Sequence, residues 1–136
     1  MSRLEETLIK HEGLRLWPYK DTVGKLTIGV GRNLEDIGIS KDEAFLLLKN
    51  DIAQAQWLCK KEFTFWDKLN EPRQDVMTML VFNMGLAKVK EFLNTLGAIS
   101  VGNFDLAADE LLRSKWAEQV GKRAKDLSEI LRSGQY

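Results

Sequence analysis

Leu4, Leu8 and Ile9 recur at the spacing of one helix face, and Gly13 stands where such a helix would stop. From Leu14 to Leu34 the period changes. Pro18 is unsuited to a helix interior, and Asp21, Gly24, Gly29 and Gly31 are turn and bend residues, so this stretch predicts a small antiparallel sheet. Leu26, Ile28 and Val30 alternate toward an expected core, which leaves Thr27 displayed on the opposite face. Ser40 followed three residues later by Glu43 has the capping-box form, and Ala44, Leu47, Leu48, Ile52, Ala55 and Leu58 then keep helical spacing. A helix of about 20 residues is roughly 30 Å long, enough to bridge two lobes.

The remainder reads as helical. Asn70 with Pro72 starts a helix carrying Val76, Met77, Leu80, Val81 and Met84, which Gly85 stops. Leu93, Leu96 and Ile99 continue the pattern to Gly102. Asn103 caps a helix with Leu106, Ala107, Leu111 and Leu112, and a last one carries Ala124, Leu127, Ile130 and Leu131 up to Gly134. The fold class this predicts is α+β: a mostly helical, two-lobed domain with a small antiparallel sheet in its N-terminal lobe.

Composition narrows the function classes. A chain of 136 residues is one domain's worth, and 20 basic against 20 acidic residues leave no net charge to drive nonspecific nucleic-acid binding. No nucleic-acid partner is expected. Cys59 has no internal disulfide partner and, with Ile52 and Ala55 at helical spacing, reads as a core or half-buried residue. The first ten residues carry Arg3, Glu5, Glu6 and Lys10 and no apolar run, so no signal peptide is expected. His11, the only histidine, reads as a surface or capping residue, and no metal site can be built around it. Trp17, Trp57, Trp66 and Trp116 could stack on sugar rings, but packing is the expectation for each. Gly29-Val30-Gly31 lacks the third glycine of a dinucleotide loop.

The chemistry gathers near the N-terminus. Glu12 falls at the end of the first helix, Asp21 in a turn and Thr27 on the next strand. Two carboxyls and a hydroxyl facing one cleft are what acid–base cleavage of a glycosidic bond by water requires.

These residues carry a resemblance. His11-Glu12-Gly13-Leu14-Arg15-Leu16, Tyr19-Lys20-Asp21-Thr22 and Thr27-Ile28-Gly29-Val30-Gly31 resemble the active-site signature of the phage-type lysozymes, glycoside hydrolase family 24, in which glutamate, eight residues, aspartate, five residues and threonine follow in order. Ile39 to Ala44 resembles the start of that family's interlobe helix. Val81 to Gly85, Ser114 to Trp116 and Lys122 to Gly134 resemble its C-terminal lobe.

The resemblance implies a single lysozyme-like domain over residues 1–136. Its sheet lobe covers about 14–40, its interlobe helix about 41–60 and its helical C-terminal lobe about 61–136, with the first helix packed on that helical lobe. It also implies a muramidase that hydrolyses the β-1,4 bond between N-acetylmuramic acid and N-acetylglucosamine in bacterial peptidoglycan. Inversion at the anomeric carbon is expected, with no cofactor or metal.

In that reading Glu12 is the general acid, Asp21 orients or deprotonates water, and Thr27 holds that water. Arg123 pairs with the acid, Asn83 stands where relatives have a cleft glutamine, and Phe92 and Asn94 match positions lining the sugar cleft, although Phe92 reads equally as core. Trp116 aligns with a core tryptophan of the family. Arg32 departs from the pattern, since relatives have a histidine there, and it is carried as a supporting residue. The implied setting is a monomer held in the host cytoplasm until a holin or other export route releases it to the wall for phage or prophage lysis. Two alternatives remain: a lytic transglycosylase, in which the muramic acid 6-hydroxyl replaces water, and a cell-wall-binding module without turnover.

Overall fold

A computed structural model describes all residues, Met1–Tyr136. By contacts the chain divides into two compact units, Met1–Leu47 and Leu48–Tyr136, with the boundary inside one long helix. No helix is long and apolar enough to cross a membrane.

The first unit begins with helix α1, Arg3–Glu12. Its start is a capping box: the Glu5 amide donates to Ser2 Oγ at 3.0 Å, and the Ser2 amide donates to Glu5 Oε2 at 3.3 Å. Gly13, at φ +80°, ends the helix and donates its amide to the Ile9 carbonyl. No residue of α1 is buried.

Three strands follow, β1 (Arg15–Lys20), β2 (Leu26–Gly29) and β3 (Arg32–Asn33), antiparallel in the order β1-β2-β3. Tyr19 pairs with Thr27 and Lys20 with Leu26, whereas Arg15 pairs with Gly29, so Leu16, Trp17 and Pro18 lie opposite the single Ile28. Pro18 has no amide hydrogen for the ladder, which accounts for an irregularity at that place in an edge strand.

Helix α2, Lys41–Glu62, opens with the predicted capping box: the Glu43 amide donates to Ser40 Oγ at 3.1 Å and the Ser40 amide to Glu43 Oε1 at 2.9 Å. Beyond it the second unit holds a 3-10 turn at Trp66–Lys68 and helices α3 (Glu71–Met84), α4 (Leu86–Val89), α5 (Leu93–Ser100), α6 (Phe104–Leu112), α7 (Lys115–Val120) and α8 (Lys122–Ser133). Val76, Met77 and Leu80 of α3, Leu111 of α6 and Leu131 of α8 are fully buried in one cluster, joined by Cys59 of α2. Burial pushes the Cys59 thiol up to about 11, as befits a packing residue. Arg73 staples two helices: its Nε donates to the Leu131 carbonyl and its Nη2 to the Arg132 carbonyl, each at 2.8 Å, with the guanidinium 3.6 Å from the Phe104 ring centre.

Three expectations need correcting. The alternation in β2 is present but its covered face is the other one. Thr27 is 3% exposed, whereas Leu26 and Val30 are both exposed and Ile28 is half-buried. Alternation tells which residues share a face and not which face is covered. Of the four tryptophans, Trp66 and Trp116 are buried as expected, but Trp17 and Trp57 are exposed. The helical stretch after Gly85 is also more broken than its pattern predicts, because α4 and α7 are separate short helices, α7 being capped by Ser114.

Candidate active site

Helix α1 delivers Glu12 at its last turn, and its carboxyl lies against the turn between β2 and β3. A Cβ added at Gly31 would come within 2.9 Å of Glu12 Oε2. Gly31 is at φ +69°, so both backbone conformation and close approach require glycine there.

Asp21 and Thr27 are tied to the same backbone unit, Lys25. Asp21 Oδ1 accepts from the Lys25 amide at 2.8 Å and from the Val23 amide at 3.0 Å, while the Asp21 amide donates to the Lys25 carbonyl at 2.9 Å. Thr27 Oγ1 donates to that same carbonyl at 2.9 Å. The chemical consequences are specific. Both amides bind Oδ1, which leaves Oδ2 without an amide partner. The Thr27 hydroxyl spends its hydrogen on Lys25 and can offer a further group only a lone pair. Thr27 is the single buried residue between Met1 and Leu47.

Arg32 is occupied locally. Its Nη1 donates to the Gly38 carbonyl at 3.1 Å and to Glu43 Oε1 at 2.8 Å, tying β3 to the first turn of α2. The hydrogen bond from Arg32, helped by those from Ser40, holds the Glu43 carboxyl down at about 2, and the same pairing raises Arg32. His11 lies exposed in the last turn of α1, as a surface residue should.

The other four predicted residues fall in the second unit, in two hollows. Asn83 and Arg123 line one of about 390 Å³ with Met79, Phe82 and Leu127. Asn83 Oδ1 accepts from Trp116 Nε1 at 2.7 Å, so a buried indole fixes which way the amide faces. Phe92 and Asn94 line the other, of about 240 Å³, with Thr95, Glu110, Arg113 and Ser114. Phe92 also packs on the core, as its alternative reading expects. Sequence reasoning missed Lys25, which holds Asp21 and Thr27 through its backbone, a role that leaves no side-chain signal. It also missed the steric reason for Gly31, although the glycine itself was visible.

The chain belongs to the phage lysozyme family, whose pattern matches residues 9–132. It is thus a lysozyme-type enzyme of the muramidase class. It is 29% identical to the pre-baseplate central spike protein Gp5 of Enterobacteria phage T4, over 96% of this chain but 28% of that protein. It is 27% identical to probable T4-type lysozyme 2 of Dictyostelium discoideum and 26% to probable T4-type lysozyme 1 of the same organism, in each case over 98% of this chain and 96% of the relative.

Proposed function

We propose that the protein hydrolyses the β-1,4 bond between N-acetylmuramic acid and N-acetylglucosamine in bacterial peptidoglycan, with inversion at the anomeric carbon. The observation that carries this reading is the shared anchorage of Asp21 and Thr27 on Lys25, on the sheet whose last turn Glu12 touches. Glu12 gives its proton to the leaving oxygen as the C1–O bond breaks. A water donates one hydrogen to the Thr27 lone pair and the other to Asp21, directing its own lone pair at C1. Asp21 takes the proton as the new C–O bond forms, and exchange with solvent resets both carboxyls.

Arg123, Asn83, Phe92 and Asn94 are substrate-binding or supporting residues in this reading. Arg32 supports the fold of the sheet instead, because its guanidinium is engaged by Glu43 and Gly38. Family membership supports peptidoglycan as the partner. We further propose that the protein acts as a monomer in host lysis by a phage or prophage, waiting in the host cytoplasm for a holin or comparable export route.

The test is product analysis. Purified peptidoglycan is digested and the released fragments are examined by mass spectrometry and, for the nascent anomer, by NMR. Reducing muramic acid ends that appear first as the α-anomer support the reading. β-Anomers overturn inversion, 1,6-anhydro ends favour the transglycosylase, and absence of release favours a binding module.

A further inference from the structure

Trp17 is the residue whose placement the fold leaves unexplained. It is 83% exposed, on an edge strand, although tryptophan in a chain of this size is ordinarily a packing residue. Pro18 follows it directly and restricts its backbone to extended conformations, within the stretch that departs from the ladder. The backbone that carries the exposed ring is therefore confined to extended conformations. The neighbouring Arg15 guanidinium sits 4.3 Å from the Tyr19 ring centre, which leaves the Trp17 indole without a cation on its face.

We infer that Trp17 is a carbohydrate platform that stacks on a sugar ring of the glycan strand away from the bond being cut. Strand β1 ends at Lys20, one residue before Asp21, and four residues of extended chain place the two α-carbons at most about 13 Å apart, a few sugar rings. The flat apolar face of a pyranose and an aromatic face are complementary, and the indole N–H adds a donor for a hydroxyl. Leu14, Leu16 and Val23 are also exposed, so an anionic lipid surface is the competing partner. Continuity of the strand with the Asp21 turn favours the glycan.

This inference rests on the proposed substrate, and the experiment separates the two. Binding of uncross-linked glycan strands of increasing length is measured by calorimetry on the Glu12→Gln chain, alone and combined with Trp17→Ala or Trp17→Phe. Trp17→Ala should weaken binding of long strands by a few-fold to about tenfold, with Phe restoring most of it. Unchanged folding of both variants is checked by circular dichroism. If the parent binds long strands and Trp17→Ala binds them equally well, the platform is refuted and the function stands. Preferential binding of the parent to anionic phospholipid vesicles, lost on Trp17→Ala while glycan binding persists, replaces the glycan with a membrane. If the parent binds no glycan and the unmutated chain releases no fragments, the function fails and the platform with it.

Discussion

Between Met1 and Leu47 only Thr27 is buried, whereas from Leu48 onward a continuous apolar cluster runs from Ala55 to Leu131. The first unit is held by directional polar contacts: two capping boxes, the Asp21 turn, and the Arg32–Glu43 pair. The second is held by burial, each fully buried Met, Leu or Val contributing about 1.5–3 kcal/mol. The three residues proposed for catalysis all lie in the first unit. Polar, locally tied structure suits chemistry because its reactive groups keep hydrogen-bond partners, whether half-buried like the Asp21 carboxyl or buried like the Thr27 hydroxyl.

The largest expected effect breaks the comparison on the catalytic side. Glu12→Gln is nearly isosteric at an exposed position and removes the acidic proton, so turnover should fall by at least about 10²- to 10⁴-fold with thermal stability unchanged. Turbidity loss of a cell-wall suspension and a melting curve read both, and retained lysis by a pure variant would remove Glu12 from the acid's role.

Met77→Ala should do the reverse. It empties a fully buried site of α3 and should cost about 2–5 kcal/mol in denaturant unfolding, with per-molecule activity preserved wherever the chain stays folded.

Two glycines sharpen the contrast. Gly31 (φ +69°) has Glu12 within 2.9 Å of an added Cβ, and Gly134 (φ +73°) has the Asn70 amide within 2.9 Å and the Arg73 guanidinium just beyond. Alanine at either is strained by about 1–3 kcal/mol. Gly31→Ala should also displace the Glu12 carboxyl and lower activity, whereas Gly134→Ala should shift the melting temperature alone. Equal activity losses in the two would argue against a special role for the Glu12–Gly31 approach.

At Thr27, serine keeps the hydroxyl and valine keeps the shape. Valine leaves the Lys25 carbonyl with the Asp21 amide as its remaining donor and removes the acceptor for water, so it should cost about 1 kcal/mol in stability and lose far more activity than serine. Equal kcat in the two variants would dismiss the water-holding role.

The smallest effect is a pH dependence. The Glu43 carboxyl is held at about 2 against an ordinary 4.5, chiefly by the Arg32 hydrogen bond. A depressed folded value means stability that is complete above about 4.5 and is lost as pH falls toward about 2. Arg32→Ala should flatten that part of the acid melting profile. The pair is partly exposed, so the change should be modest.

Local signals in the sequence were enough for many boundaries. Ser40 with Glu43, Asn70 with Pro72, Gly85, Asn103 and Gly134 each mark an end that the structure keeps, because caps and stops are settled within four or five residues. The order of Glu12, Asp21 and Thr27 along helix, turn and strand was equally readable, as was the small sheet between helices.

What tertiary structure decided is which face of β2 is covered, which tryptophans are buried, and what Arg32 binds. Each depends on a partner distant in sequence or on the packing around it: Glu12 against Gly31, Asn83 beneath Trp116, Glu43 eleven residues beyond Arg32. Periodicity reports that neighbours in a strand face opposite ways, and composition reports that an indole prefers burial. Neither names the atoms that will arrive on the other side, since that is fixed only when the whole chain has competed for the same contacts.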